Sequence, residues 1–275
     1  LNPTQWGFTA GPVSDRCFGG FVDSGAGLTG VEYGSVAWGD YDNDGDLDIL
    51  LAGLDGGSNR VAKVYRNDGG VLGDSGTADD ALTGVASSSV AWGDYDNDGD
   101  LDILLTGNAG NSNLVAKVYR NDGGVLVDSG PADDALTGAY IGSVAWGDYD
   151  NDGDLDILLT GVDSGNNRVA NVYRNDGGVF VDSGTADDAL LGVLSSSVAW
   201  GDYDNDGDLD ILLTGTTSGA VSGAVAKVYR NDGGVFVDSG TADDALTGVN
   251  NSSVAWGDYD TDPLDGDTDG DGLGD

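Results

Sequence analysis

Aspartates at alternate positions, interrupted by one glycine, carry the chemistry of this chain. In Asp40-Tyr41-Asp42-Asn43-Asp44-Gly45-Asp46-Leu47-Asp48, positions one, three, five and nine offer carboxylates. Position seven, Asp46, offers its backbone carbonyl, and Gly45 permits the sharp turn at position six. A hard cation that takes roughly six to eight oxygens calls for this alternation, because every second side chain points inward. The same set recurs as Asp94, Asp96, Asp98, Asp100 and Asp102, as Asp148, Asp150, Asp152, Asp154 and Asp156, and as Asp202, Asp204, Asp206, Asp208 and Asp210. An EF-hand would place Glu at the twelfth position; here that position is Leu51, inside an apolar run, so this is not an EF-hand. An all-protein oxygen cage points to calcium rather than magnesium, about one ion per intact loop. The alternative is a metal-free Asp turn, which four matched copies argue against.

These loops sit in a repeat. WGDYDNDGDLDIL begins at Trp38, Trp92, Trp146 and Trp200, an altered copy begins at Trp256, and the spacings are 54, 54, 54 and 56 residues. In the second copy, residues 89–94 alternate small and large side chains as a short strand does, and residues 103–107 form an apolar run of strand length, covered on both faces. A loop at 108–113 leads to a third strand at 115–120, Asn121-Asp122-Gly123-Gly124 signals a hairpin turn, and a fourth strand covers 125–128. Four short antiparallel strands repeated in tandem predict an all-β chain, a β-propeller of four-stranded blades. A βα solenoid would need helical periodicity and a calcium β-roll a nine-residue period; the sequence has neither.

The ends suggest closure. Residues 5–24 look like diverged strands two to four, and Val254-Ala255-Trp256-Gly257-Asp258 looks like an isolated strand one. Residues 5–30 and 254–260 are therefore expected to make a composite blade, giving a five-bladed ring over residues 1–260 with no open edge. The rival is a chain cut from a longer array. The fifth loop, from Asp258, has Pro263 where the others have Gly and Gly266 at position nine, so metal is doubtful there. Residues 261–275 form an acidic tail in which Asp267, Asp269, Asp271 and Asp275 restore an Asp/Gly pattern. That tail is either a second kind of calcium site or a flexible acidic end.

Composition narrows the function. The 49 acidic residues, all Asp except Glu32, face 10 basic ones for a net charge of −39. Asp outnumbers Glu where a short side chain must reach an ion or a tight turn. With no basic patch to neutralise phosphate, nucleic acid and anionic membranes are excluded as partners, and no apolar run is long enough for membrane insertion. The single cysteine, Cys17, allows no intrachain disulfide, and there is no His. Ser/His and Cys/His catalysis are therefore excluded. Dependence on calcium at extracellular levels points to an extracellular, secreted or cell-surface protein. The chain begins at Leu1 and lacks Met, which fits a trimmed product without its signal peptide.

The repeat resembles the FG-GAP or VCBS family, calcium-binding propellers similar to integrin α-subunit heads, through its DxDxDGDxD loop and the flanking Val-Ala-Trp-Gly and Val-Tyr-Arg-Asn-Asp-Gly-Gly segments. The resemblance implies that the loop joins strands one and two of a blade and braces its rim. Rings of that family commonly have seven blades, so five would be a departure. The tail resembles a thrombospondin type 3 calcium repeat.

Other residues have plainer readings. The repeated Trp can be a sugar platform but is better read as packing. The pairs Asp79/Asp80, Asp133/Asp134, Asp187/Asp188 and Asp243/Asp244 recur in every linker, which favours turn capping or solvation over catalytic dyads. Arg66, Arg120, Arg174 and Arg230 are expected to pair with Asp of their hairpins. Asn250 and Asn251 lie in N-x-S acceptor sequences. The copies diverge at 54–60, 108–114, 162–168 and 216–224, loops that leave the blades on the face opposite the Asp loops. A partner, protein or glycan, is expected on that face, with self-assembly as a further possibility. The function expected is a non-enzymatic binding or structural module in adhesion, surface assembly or an extracellular filament. A lectin is the alternative, and a polysaccharide-active enzyme is disfavoured because no unique cluster of bases stands out from the repeats.

Overall fold

The structure, a computed structural model, describes residues 25–218, 223–240 and 245–257. The first sheet contains β1 (Val31–Gly39), β2 (Asp48–Asp55), β3 (Arg60–Asn67) and β4 (Leu72–Asp74). The second contains β5 (Ala86–Gly93), β6 (Asp102–Gly110), β7 (Asn113–Asn121) and β8 (Leu126–Asp128). The third contains β9 (Val144–Gly147), β10 (Asp156–Val162), β11 (Arg168–Asn175) and β12 (Phe180–Asp182). The fourth contains β13 (Leu194–Gly201), β14 (Asp210–Thr216), β15 (Ala224–Asn231) and β16 (Phe236–Asp238). In each sheet the strands lie in sequence order and pair antiparallel, which is the meander of a propeller blade.

The second strand of each blade is its core. Ile103, Leu104 and Leu105 of β6 and Ile157, Leu158 and Leu159 of β10 are fully buried, as an apolar run covered on both faces must be. Each such side chain contributes roughly 1.5–3 kcal/mol of burial. The expected loop at 108–113 is shorter than its composition suggests: β6 and β7 continue to a turn at Asn111 and Ser112, both with positive φ. The linkers are not plain coil either, since short 3-10 turns occupy Gly76–Asp79, Gly130–Asp133 and Gly184–Asp187.

Blades are joined by a recurring interface. The indole of Trp92 lies over Gly39 of the preceding blade so closely that a Cβ there would meet Trp92 Cδ1 at 2.7 Å. Trp146 covers Gly93, Trp200 covers Gly147 and Trp256 covers Gly201 in the same way. The phenol ring of Tyr41 stacks on Trp92 with centroids 6.2 Å apart, and Tyr95–Trp146, Tyr149–Trp200 and Tyr203–Trp256 repeat the pair. The Trp is thus packing between blades. Serine hydroxyls add polar ties: Ser35 Oγ accepts from Val90 N at 3.3 Å, and Ser197 Oγ accepts from Val254 N at 3.1 Å. Strand one of each unit enters through a left-handed residue (Tyr33, Ser87, Ile141, Ser195 or Asn251). From Ser87 onward these residues are linked by a backbone chain across blades, from Asn251 N to Ser195 O, Ser195 N to Ile141 O and Ile141 N to Ser87 O.

Of the composite blade expected from residues 5–30 and 254–260, residues 5–24 and 258–260 lie outside the described residues. Residues 25–30 and 254–257 form no strand. The tail, with Asp267, Asp269, Asp271 and Asp275, also lies outside them, as do Asp243 and Asp244.

Candidate metal centre

Each Asp loop joins strand one to strand two, so both ends are fixed by a strand pair before any ion is considered. Gly39 pairs with Asp48 and Gly93 with Asp102, bringing positions one and nine together. Asp42, Asp96 and Asp150 then turn inward. The result is three carboxylate clusters, Asp40/Asp42/Asp48, Asp94/Asp96/Asp102 and Asp148/Asp150/Asp156, each with ligand oxygens all within 4.8 Å of one another. Oxygens bound at about 2.4 Å to one cation can be at most about 4.8 Å apart, so each cluster matches a single ion. The fourth loop gathers Asp202, Asp204 and Asp206 instead, all exposed, while Asp210 is fully buried beneath them.

The loop backbone is shaped by the same side chains. Asp40 accepts Asp44 N through Oδ1 at 3.1 Å and Gly45 N through Oδ2 at 3.0 Å. Asp44 caps Asp46 N at 2.9 Å, and Asp98 and Asp152 repeat that turn rather than joining the clusters. Position seven has a bracing role for its side chain: Asp46 Oδ2 accepts Gly69 N at 2.7 Å and Asp100 Oδ2 accepts Gly123 N at 2.9 Å, which ties the loop to the next hairpin. Asp154 and Asp208 each accept an asparagine from the preceding blade.

Position nine is where a cation is most needed. Asp102 has no solvent exposure, yet both its oxygens accept backbone N–H groups, from Tyr95 at 3.0 Å and Asn121 at 2.8 Å. Asp156 does the same with Tyr149 and Asn175, and Asp48 with Tyr41 and Asn67. That geometry suits an ionised carboxylate, but among the described residues no Lys or Arg forms an ion pair with any of the three. Burial pushes Asp102 and Asp156 up to about 7, against the pull of those N–H bonds. Asp42, Asp96 and Asp150 are also raised, by burial first and then by the carboxylate two residues on. One oxygen of each, Oδ1, is buried with no hydrogen-bond partner. Orphaned acceptors beside a buried carboxylate fit a bound positive ion.

Two asparagines escape the sequence reading. Asn43, at position four, takes the left-handed conformation (φ 58°), and its Nδ2 donates to Asp100 Oδ1 of the next loop at 2.7 Å. Asn97 reaches Asp154 and Asn151 reaches Asp208 in the same way. Asn121, read only as a turn residue, donates from a fully buried side chain to Tyr41 O of the preceding blade at 2.6 Å, and Asn175 and Asn231 repeat this. Their identical place in every copy was the available signal.

The linker pairs are not dyads. Asp79 and Asp133 are buried and accept Val64 N and Val118 N at 2.8 and 2.9 Å, while Asp80 and Asp134 face solvent. The arginines do pair with hairpin Asp: Arg66 with Asp68, Arg120 with Asp122, Arg174 with Asp176 and Arg230 with Asp232, at 2.6–2.8 Å. On the opposite face a cleft of about 180 Å³ lies between the second and third blades, lined by Asn108, Ser112, Leu114, Tyr140, Asp163 and Asn166 among others.

Propeller blades, each with an Asp loop able to hold a metal ion between its first two strands, define a repeat scaffold with built-in cation sites. The sequence model of the FG-GAP-like repeat matches residues 40–105 and again 94–159, each match running from one Asp loop through the second strand of the next blade. Over residues 40–159 the chain is thus similar to FG-GAP-like repeats, the family its loops resemble. Among curated proteins none matches it by sequence. Among solved structures it is similar to Bacillus licheniformis rhamnogalacturonan lyase PL11, at 14% identity and a TM-score of 0.41, over 78% of this chain and 50% of that one. The chain thus spans half the length of that enzyme, and so distant a likeness says nothing of what this chain does. No helix among the described residues is long and apolar enough to cross a membrane.

Proposed function

We propose that this chain is a secreted, calcium-stabilised propeller that serves as a binding or structural module in adhesion, surface assembly or an extracellular filament, without catalysis of its own. The observation that carries this reading is the buried, partnerless Oδ1 of Asp42, Asp96 and Asp150, each beside a fully buried carboxylate. Such a loop is costly without a cation and rigid with one. Calcium supplies charge and coordination there; the chain's own residues fix the loop to its blade and each blade to the next. Ordinary loops of this kind fill at extracellular rather than cytosolic calcium, which supports secretion. With one face occupied by the Asp loops, the divergent loops of the other face are where a protein or glycan binds. Calorimetric titration of the chelator-treated protein with calcium tests the reading: about one ion per intact loop supports it, and no heat of binding contradicts it.

A lectin is the second reading, favoured by Tyr140 beside Asn108, Asn166 and Asp163 in the cleft of that face. Its volume is below the roughly 300 Å³ at which small-molecule sites begin, so it suits one sugar unit or one side chain. A glycan array probed in calcium separates the two readings, since an array without hits removes the lectin.

A further inference from the structure

The blade interface has two unlike surfaces. The leading surface of an internal blade is the Val and Trp of strand one and the Leu at position eight of the Asp loop; it packs on the Gly, Tyr and Ser of the blade before. Within the second blade these are Val90, Trp92 and Leu101, and Leu101 Cδ1 lies 3.0 Å from where a Cβ of Gly39 would be. Val90, Val144 and Val198 are each 7% exposed because that interface is closed.

Among the described residues the same surfaces are open on the first blade and after the fourth. In the first blade Val36 is 60% exposed, Trp38 59% and Leu47 55%, although they are the counterparts of Val90, Trp92 and Leu101. At the other end Gly257 follows Trp256 as Gly39 follows Trp38, yet among the described residues nothing approaches within 4 Å of its Cβ position. Ser253 corresponds to Ser35, Ser89, Ser143 and Ser197, all of which accept a strand N–H of the next blade, and it is exposed. Among the described residues, the last unit therefore presents the receiving half of the interface and the first blade the inserting half, and the two do not meet.

We infer that the chain assembles head to tail, with Val36, Trp38 and Leu47 of one copy seated on Ser253 and Gly257 of a second copy. The contact is heterologous, so it propagates as a filament or closes as a ring of copies. It rests on the reading of the chain as a calcium-braced scaffold, because a net charge of −39 on each copy opposes association until cations neutralise the loops.

Sedimentation velocity in calcium, over a wide range of protein concentration, tests this with two variants. Trp38→Arg removes the inserting half; Gly257→Val fills the receiving half, where the internal copies leave 2.5–2.7 Å between Cβ and indole. Both positions are exposed in the single chain, so each variant should melt as the wild type does. The expected result is a concentration-dependent series of wild-type oligomers, each variant alone at the 27.8 kDa monomer mass, and an equimolar mixture that stops at twice that mass. In the mixture each chain retains one good half, so a single junction forms. A wild type that stays monomeric, whether its first blade is covered by its own terminal residues or left bare, overturns the proposal; so does a mixture without dimer. If calcium still raises the melting temperature in either case, the scaffold reading stands and only the assembly fails.

Discussion

Asn43 Nδ2 donates to Asp100 Oδ1 at 2.7 Å, joining the Asp loop of one blade to that of the next. Asp100 also holds the following hairpin through Gly123 N. A cation held by one loop would thereby fix an anchor for its neighbour and couple the loops to blade alignment.

That tie predicts graded effects at Asn97, whose φ is 59°. Asn97→Ala loses the bond to Asp154 and forces Ala into the left-handed region, at a cost of roughly 1–2 kcal/mol. Asn97→Gly keeps the backbone relaxed and recovers part of that loss. Denaturant melts in calcium, ordered wild type above Gly above Ala, check it.

Position nine predicts a site-specific loss. Asp102→Asn keeps the volume but turns an amide N–H toward one of two backbone donors. It should destabilise by about 1–3 kcal/mol in calcium and remove one ion from the calorimetric stoichiometry. An unchanged ion count would show that Asp102 is not a ligand.

Without metal, the pH dependence follows from the same residues. Asp102 and Asp156 titrate near 7 in the folded chain and near 3.9 unfolded, so the folded state holds their protons more tightly. Their contribution is complete below about pH 4 and is lost as pH rises through 7, by up to about 1.4 kcal/mol per unit for each group. The melting temperature in chelator should therefore fall between pH 4 and 7. In calcium the ion takes the place of the proton and the fall should disappear.

The Trp–Gly contact predicts overpacking. A Cβ on Gly93 would lie 2.6 Å from Trp146 Cδ1, so Gly93→Ala should cost about 1–3 kcal/mol. Gly73→Ala, on β4 with open space around it, should stay within about 0.5 kcal/mol of wild type. Urea midpoints of the two variants give the comparison.

The apolar run after each Asp loop made β2, β6, β10 and β14 legible, because two-sided burial leaves no polar alternation to misread. The cation loops were legible for the opposite reason: alternate Asp with Gly45 has few other uses. The early start of β5 was not, since nothing in Ala86-Ser87-Ser88 announces a bulge held by Ile141 N of the next blade. Nor was the inward turn of Asp79, which one residue of spacing separates from the solvated Asp80. The bulge depends on a contact between units, which a single repeat read along its length does not contain; Asp79 depends on Val64 N, a partner within its own unit that only the folded blade brings near.

On the proposed reading, cations in the Asp loops hold the blades together. Thermal melting at neutral pH, in calcium and then in excess chelator, tests it most directly. A melting temperature that falls in chelator and returns when calcium is restored is the predicted result, because binding to the folded state alone must raise it. A melting temperature indifferent to both would contradict the account.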